Sequence, residues 1–218
     1  MINNRKKYIL VLLLIVIIAA LSIRLMSTDT DEKTKSTVAV ILPEQVEKGI
    51  SRIMDGMHDF AINNDVELDV IYKKYITEKE MENILDKENK NNVIGIIAVY
   101  PEKYLSITDG YEFENNNLIA VSNVMNDKFR YSIGYDREKV NADDICKDLP
   151  LERQDINDVL NGSVKMIYAG NTYELGYRSI SAIYENHKGN YISDIKIDYI
   201  KIDADMINSG KVDALLTE

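Results

Sequence analysis

The chain has 218 residues, 45% hydrophobic and 28% charged, with a formal net charge of −10, one cysteine and two histidines. That apolar content can bury the core of one domain or two small ones and excludes a disordered tail. Four basic residues, Arg5, Lys6, Lys7 and Arg24, occupy the first 24 positions with no acid among them, so the acidic excess falls on the remainder and argues against the basic stripe that nucleic-acid binding needs.

The first element is the run "NRKKYILVLLLIVIIAALSIRL", uninterrupted and apolar from Tyr8 to Leu21 behind a basic flank. Its length and flank predict a membrane anchor over 1–26 with the body on the extracytoplasmic side. The competing reading is a cleaved signal peptide with Ala20 to Ser22 as the cleavage site. No cysteine follows the apolar run, so it is no lipoprotein signal. The stretch "STDTDEKTKST" is polar and without period, which predicts a spacer over 27–36.

From there one pattern repeats: a short β-branched run, a turn signal, an amphipathic helix. Thr37 to Leu42 predicts a first strand and Pro43 the start of a helix. Val46, Ile50, Ile53, Met54, Met57 and Phe60 recur at steps of three and four and line one face of that helix. "VELDVIY" predicts a second strand, and Thr77 with Glu80 forms a capping box opening a helix that carries Met81, Ile84 and Leu85. "NVIGIIAVY" is apolar on both faces, as suits the interior of a parallel sheet. "NLIAVSN" and "YSIGYD" give two more strands, and a polar helical stretch is broken at Pro150. The pattern then restarts with "VKMIYAG", a helix opening at Asn171, "IKIDYIKI", a brief helical turn and "VDALLT". Five strands before the break and three after it, with right-handed crossovers, predict two doubly wound α/β parallel-sheet lobes, 37–136 and 137–218.

Sites for chemistry are missing from this pattern. No Gly-x-Gly-x-x-Gly, Walker loop, Gly-x-Ser-x-Gly elbow or His-Glu-x-x-His occurs, and the strand–helix junctions "LPEQVEKG" and "AGNTYELG" cannot cradle a pyrophosphate. Cys146 alone builds neither a disulfide nor a cysteine-based zinc site. His58 falls on the polar side of its helix, and His187 stands beside a Gly stop where a partial positive charge is favoured. The expectation is therefore a protein without catalytic residues, metal or cofactor.

In this order the chain resembles the type I periplasmic binding proteins, the sugar- and small-solute-binding family whose fold also serves as the effector domain of lactose-repressor-type regulators. The resemblance covers about 37 to 218 and rests on spacing. "VAVILPEQVEKGISRIMDGMHDFA" looks like the family's first strand and helix, "NVIGIIAVYP" like its third strand with a proline turn at Pro101, and "YSIGYD" like the strand closing the first lobe. "VKMIYAGNTYELGYRSI" looks like the first strand and helix of the second lobe, and the strands that would follow "VDALLT" are absent, so the resemblance implies an incomplete second lobe.

The resemblance implies an extracytoplasmic solute-binding protein, taking a sugar or similar small polar ligand by hinge closure between the lobes. An ABC permease or a sensor kinase would then be its partner. Two alternatives stand beside it: an interaction module docking on a histidine-kinase or transporter ectodomain, and a truncated remnant without ligand. Arg178 is placed at the crevice, where its planar donors suit hydroxyls and carboxylates; it reads equally as a helix-surface arginine paired with Glu174. Asp136 reads as an acceptor for ligand hydroxyls or as a helix N-cap, and Asn123 has the same two readings. Glu44 reads as a cleft acceptor or as compensation of a helix dipole. Tyr100 and Tyr173 offer flat faces for a sugar ring.

Overall fold

The computed structural model describes residues 35–45, 49–91, 93–141, 144–147 and 151–212. The expected anchor, all of the spacer before Lys35, the break at Pro150 and the last strand beyond Val212 lie outside these residues. Among the described residues no helix is long and apolar enough to cross a membrane.

In chain order the elements are β1 (Ser36–Pro43), α1 (Ile50–Asn64), β2 (Val66–Lys73), β3 (Ile76–Thr77), α2 (Glu78–Lys90), β4 (Gly95–Val99), β5 (Leu105–Ser106), β6 (Leu118–Val121), β7 (Tyr131–Tyr135), β8 (Ile145–Lys147), α3 (Arg153–Leu160), β9 (Ile167–Ala169), α4 (Thr172–His187), β10 (Ile195–Ile197), β11 (Ile200–Ile202) and α5 (Ala204–Asn208). Local chemistry sets several of the boundaries. The capping box of α2 is present: the Thr77 N–H donates to Glu80 Oε2 at 2.8 Å and the Glu80 N–H to Thr77 Oγ1 at 3.4 Å. Helix α1 begins at Ile50, after Gly49 in the left-handed region, and closes on Asp65, whose N–H donates to the Ala61 carbonyl.

Six strands form one parallel sheet in the order β2-β1-β4-β6-β7-β10. The chain leaves β1 toward β2 on one side and then toward β4 on the other, so the order reverses between β1 and β4, where open α/β sheets have their ligand crevice. Alternate residues of each strand feed opposite faces. Val38, Val40, Ile97, Val99, Ile119 and Val121 join Ile53, Met57 and Phe60 of α1 and Leu175, Ile180 and Ile183 of α4 in one core. Ala39, Ile41, Ile96, Ala98 and Ala120 face the other way, onto Met81 and Leu85 of α2 and onto Phe113 and Phe129.

The second lobe differs from the expectation. Strand β9 does leave the main sheet, but it sits in a three-stranded sheet, parallel to β8 and antiparallel to β11, with a core of Leu151, Val159, Ile167, Ala169, Ile202 and Val212. The helix expected to cover that lobe, α4, packs instead on the main sheet beside α1. It can do so because both helices carry glycine at the crossing: a Cβ on Gly176 would lie 1.8 Å from the Ile53 carbonyl oxygen, and one on Gly56 2.1 Å from that of Tyr173. "IKIDYIKI" is two strands, β10 beside β7 and β11 in the small sheet, divided at Asp198 and Tyr199. From Ser36 the chain is thus one unit, a six-stranded doubly wound sheet with a three-stranded annex; position 136/137, the expected boundary between the first lobe and a partial second one, is where the chain first leaves the main sheet.

Candidate functional site

Every strand of the main sheet delivers its carboxyl end to the same edge. In sheet order the residues there are Lys73 at the end of β2, Glu44 after β1, Tyr100 after β4, Asn123 close after β6, Asp136 after β7 and Asp198 after β10. Three connections from this edge, 136–145, 169–172 and 197–200, also reach or leave the annex. Four of the six residues expected to touch ligand, Glu44, Tyr100, Asn123 and Asp136, therefore fall in one row above neighbouring strands.

Their environments differ. Glu44 is exposed, and its N–H donates to the Lys73 carbonyl at 2.7 Å, tying the ends of β1 and β2. Tyr100 is only 2% exposed, so its ring belongs to the core and offers no open face to a sugar. Its backbone has φ 48° directly before Pro101, a left-handed conformation that is strained for an aromatic residue. The Tyr100 hydroxyl donates to Asn123 Oδ1 at 3.1 Å. Beside it the Ser122 hydroxyl donates to Glu102 Oε2 at 2.7 Å.

Asp136 has the least satisfied environment. Its side chain is 8% exposed, with Oδ2 at 3.3 Å from Lys139 Nζ, and its N–H donates to the Ile197 carbonyl at 2.8 Å. Oδ1 is buried without a hydrogen-bond partner among the described residues. The N-cap reading is not realised, because the side chain caps nothing in the 3-10 turn Arg137–Lys139. A buried acceptor left unpaired costs on the order of 1–3 kcal/mol, and native proteins keep few of them.

Sequence reasoning missed the partners around Asp136. Lys139 Nζ lies 2.6 Å from Asp198 Oδ1, joining the segments that leave β7 and β10, and Lys196 Nζ lies 3.0 Å from Glu138 Oε1, joining the segment after β7 to strand β10 itself. Hydrogen bonds to Asp198, then to Asp136, hold the Lys139 ammonium above the ordinary lysine range. The Tyr135 ring packs on Tyr199 with centroids 4.8 Å apart. It fits because Gly170 has no side chain: a Cβ there would lie 2.6 Å from the Tyr135 hydroxyl. The alternation of "IKIDYIKI" hid Asp198; the signal was the Asp–Tyr pair inside it, the reverse of the Tyr–Asp ending β7.

The structure does not bring Arg178 or Tyr173 into this row. Arg178 is 53% exposed on α4, with Nε 2.6 Å from Glu174 Oε1, which is the helix-surface reading. The Tyr173 hydroxyl donates to Asp59 Oδ2 at 2.8 Å, pinning α4 to α1, and that bond pushes its pKa up. Among the described residues no group of three His, Cys, Asp or Glu is placed to hold a metal ion. A cleft of about 400 Å³ opens on the annex, lined in part by Asn141, Asp144, Ser163, Lys165 and Tyr168, and holds none of the six expected residues.

No protein-family model matches the chain. No curated protein matches it either. Solved structures with a similar chain path include an ABC transporter, LacI family transcriptional regulator from Brachyspira murdochii (14% identity, 86% of this chain and 100% of that one, TM-score 0.48). An ABC transporter solute-binding protein from Agrobacterium vitis bound with α-D-tagatopyranose is 11% identical over 84% of this chain and 100% of that one, with TM-score 0.48. One from Bacillus halodurans with bound myo-inositol is 9% identical over 81% and 97%, with TM-score 0.45. The class of fold is established by this chain's own strand order: a doubly wound α/β unit with a parallel sheet.

Proposed function

We propose that this chain is a membrane-anchored extracytoplasmic module that binds a small polar solute, sugar-like in its hydroxyl groups, at the carboxyl edge of the six-stranded sheet. The solute would be handed to an ABC permease or reported to a sensor kinase. The single observation that carries the reading is the Asp136 carboxylate, buried at a strand end with Oδ1 unpaired. An ionised carboxylate only accepts, so the missing partner is a donor such as a ligand hydroxyl. Asn123, half-buried one strand away, offers an amide Nδ2 beyond the Oδ1 that Tyr100 occupies. Glu44 is a third polar group in the same row.

Closure would differ from that of two equal lobes. The annex hangs on the three connections at the carboxyl edge, and the Lys139–Asp198 ion pair ties two of them together. A solute touching both Asp136 and the annex favours whichever annex position completes those contacts, and so shifts the population toward it. The test is a thermal-shift screen of the full chain, in a detergent without a sugar headgroup, against pentoses, hexoses, myo-inositol, tagatose and amino acids. A rise in melting temperature with one polyol and not with amino acids supports the reading; no shift with any member of the panel overturns it.

A further inference from the structure

Strand β2 ends the main sheet: it pairs with β1 and, among the described residues, with no other strand. It is eight residues long, while β10 at the opposite edge has three. A long strand with a free row of backbone donors and acceptors is a template for another strand, and natural edges are normally shortened, bulged or covered. This one carries Leu68, Val70 and Ile71 only partly buried against the two cores, and Tyr72 60% exposed.

We propose that β2 pairs antiparallel with β2 of a second copy of this chain about a two-fold axis at Val70, making one continuous sheet through two molecules. The sequence of the strand selects both occupant and register. In an antiparallel pair, directly opposed side chains share a face, and like charges opposed are destabilising. An axis at Leu68 sets Glu67 against Asp69, and an axis at Asp69 sets two aspartates against each other. An axis at Val70 opposes Glu67 to Lys73 twice, Leu68 to Tyr72 twice and Val70 to itself, and sets Asp69 against Ile71 twice. Shifting the axis to Ile71 still gives Lys73 an acid, Asp69, but shortens the paired stretch to 69–73. On the face of Leu68, Val70 and Tyr72 the strand is thus complementary to itself in apolar surface, and at its two ends Glu67 matches Lys73 in charge, as an isologous interface requires. Glu67 already has an interaction in its own chain, and a carboxylate with two oxygens can serve both.

The inference stands apart from the solute reading. Its test uses the full chain in detergent micelles, with protein mass followed by sedimentation against concentration. A dimer is expected, weakened about tenfold or more by Lys73→Glu and restored by Glu67→Lys with Lys73→Glu. In a Cys146→Ser background, Val70→Cys is expected to cross-link across the axis under mild oxidation, and Ile71→Cys to do so far more slowly. A monomer at every concentration, a dimer indifferent to Lys73→Glu, or a double variant that stays monomeric overturns the proposal. Cross-linking faster at Ile71→Cys than at Val70→Cys overturns the register.

Discussion

The Tyr100 hydroxyl donates to Asn123 Oδ1 at 3.1 Å, joining the ends of the adjacent strands β4 and β6, while the Tyr100 backbone is held at φ 48° before a proline. A ring buried in the core thereby positions a polar side chain at the open edge of the sheet. Tyr100→Phe removes the donor and leaves the ring, and is expected to cost about 1 kcal/mol in urea unfolding. Tyr100→Ala also empties the core position and is expected to cost about 3–5 kcal/mol.

The crossing of α1 and α4 predicts a sharper effect from a smaller change. Gly176→Ala puts a methyl group 1.8 Å from the Ile53 carbonyl oxygen, so the two helices must separate. The expected loss is about 2–3 kcal/mol in chemical denaturation. Gly110→Ala is the control, since that position meets nothing within 4 Å and carries only its positive φ, for a cost of about 1 kcal/mol. Equal effects at the two sites would contradict the close crossing.

At acid pH the capping box of α2 is the readout. Hydrogen bonds from the Thr77 backbone and then its side chain hold Glu80 below its ordinary value of 4.5. The folded state therefore binds this proton less readily than the unfolded one. The stabilisation is complete above pH 4.5 and disappears as pH falls through the lowered value. Thr77→Ala is expected to lower stability at pH 7 by about 1 kcal/mol and, because the backbone N–H at position 77 still donates to Glu80, to flatten the acid limb of a melting-temperature profile only in part.

At alkaline pH the sign reverses. The Tyr111 hydroxyl donates to Glu82, which raises its pKa from 10.0 to about 12. Between those values the folded state holds a proton that the unfolded state has lost, so stability present below pH 10 declines as pH rises toward 12. Melting temperatures across that window are expected to fall less steeply in Tyr111→Phe than in the wild type.

The strand ends were legible in the sequence because a short apolar run announces its own termination: Pro43 and Glu44 after "VAVIL", Tyr100 and Pro101 after "GIIAV", Asp136 after "YSIGY". In an open parallel sheet those ends share one edge, so Glu44, Tyr100, Asn123 and Asp136 were found together. The placement of α4 was not legible. Its apolar stripe of Leu175, Ile180 and Ile183 would serve equally on either sheet, and what decides is the glycine at position 176 meeting one at position 56, 120 residues away. Arg178 and Tyr173 were misplaced for the same reason. Asp198 was hidden because one alternating run supplies two strands in different sheets, divided where Tyr199 packs on Tyr135.

The central claim is that the unpaired oxygen of Asp136 awaits a donor from a solute. Isothermal titration of the full chain with the polyol that gives the largest thermal shift, compared between wild type and Asp136→Asn, tests it most directly. The account predicts a saturable heat for the wild type and affinity weakened about tenfold or more in Asp136→Asn. Equal affinity in the two proteins, or no heat in the wild type, would contradict it.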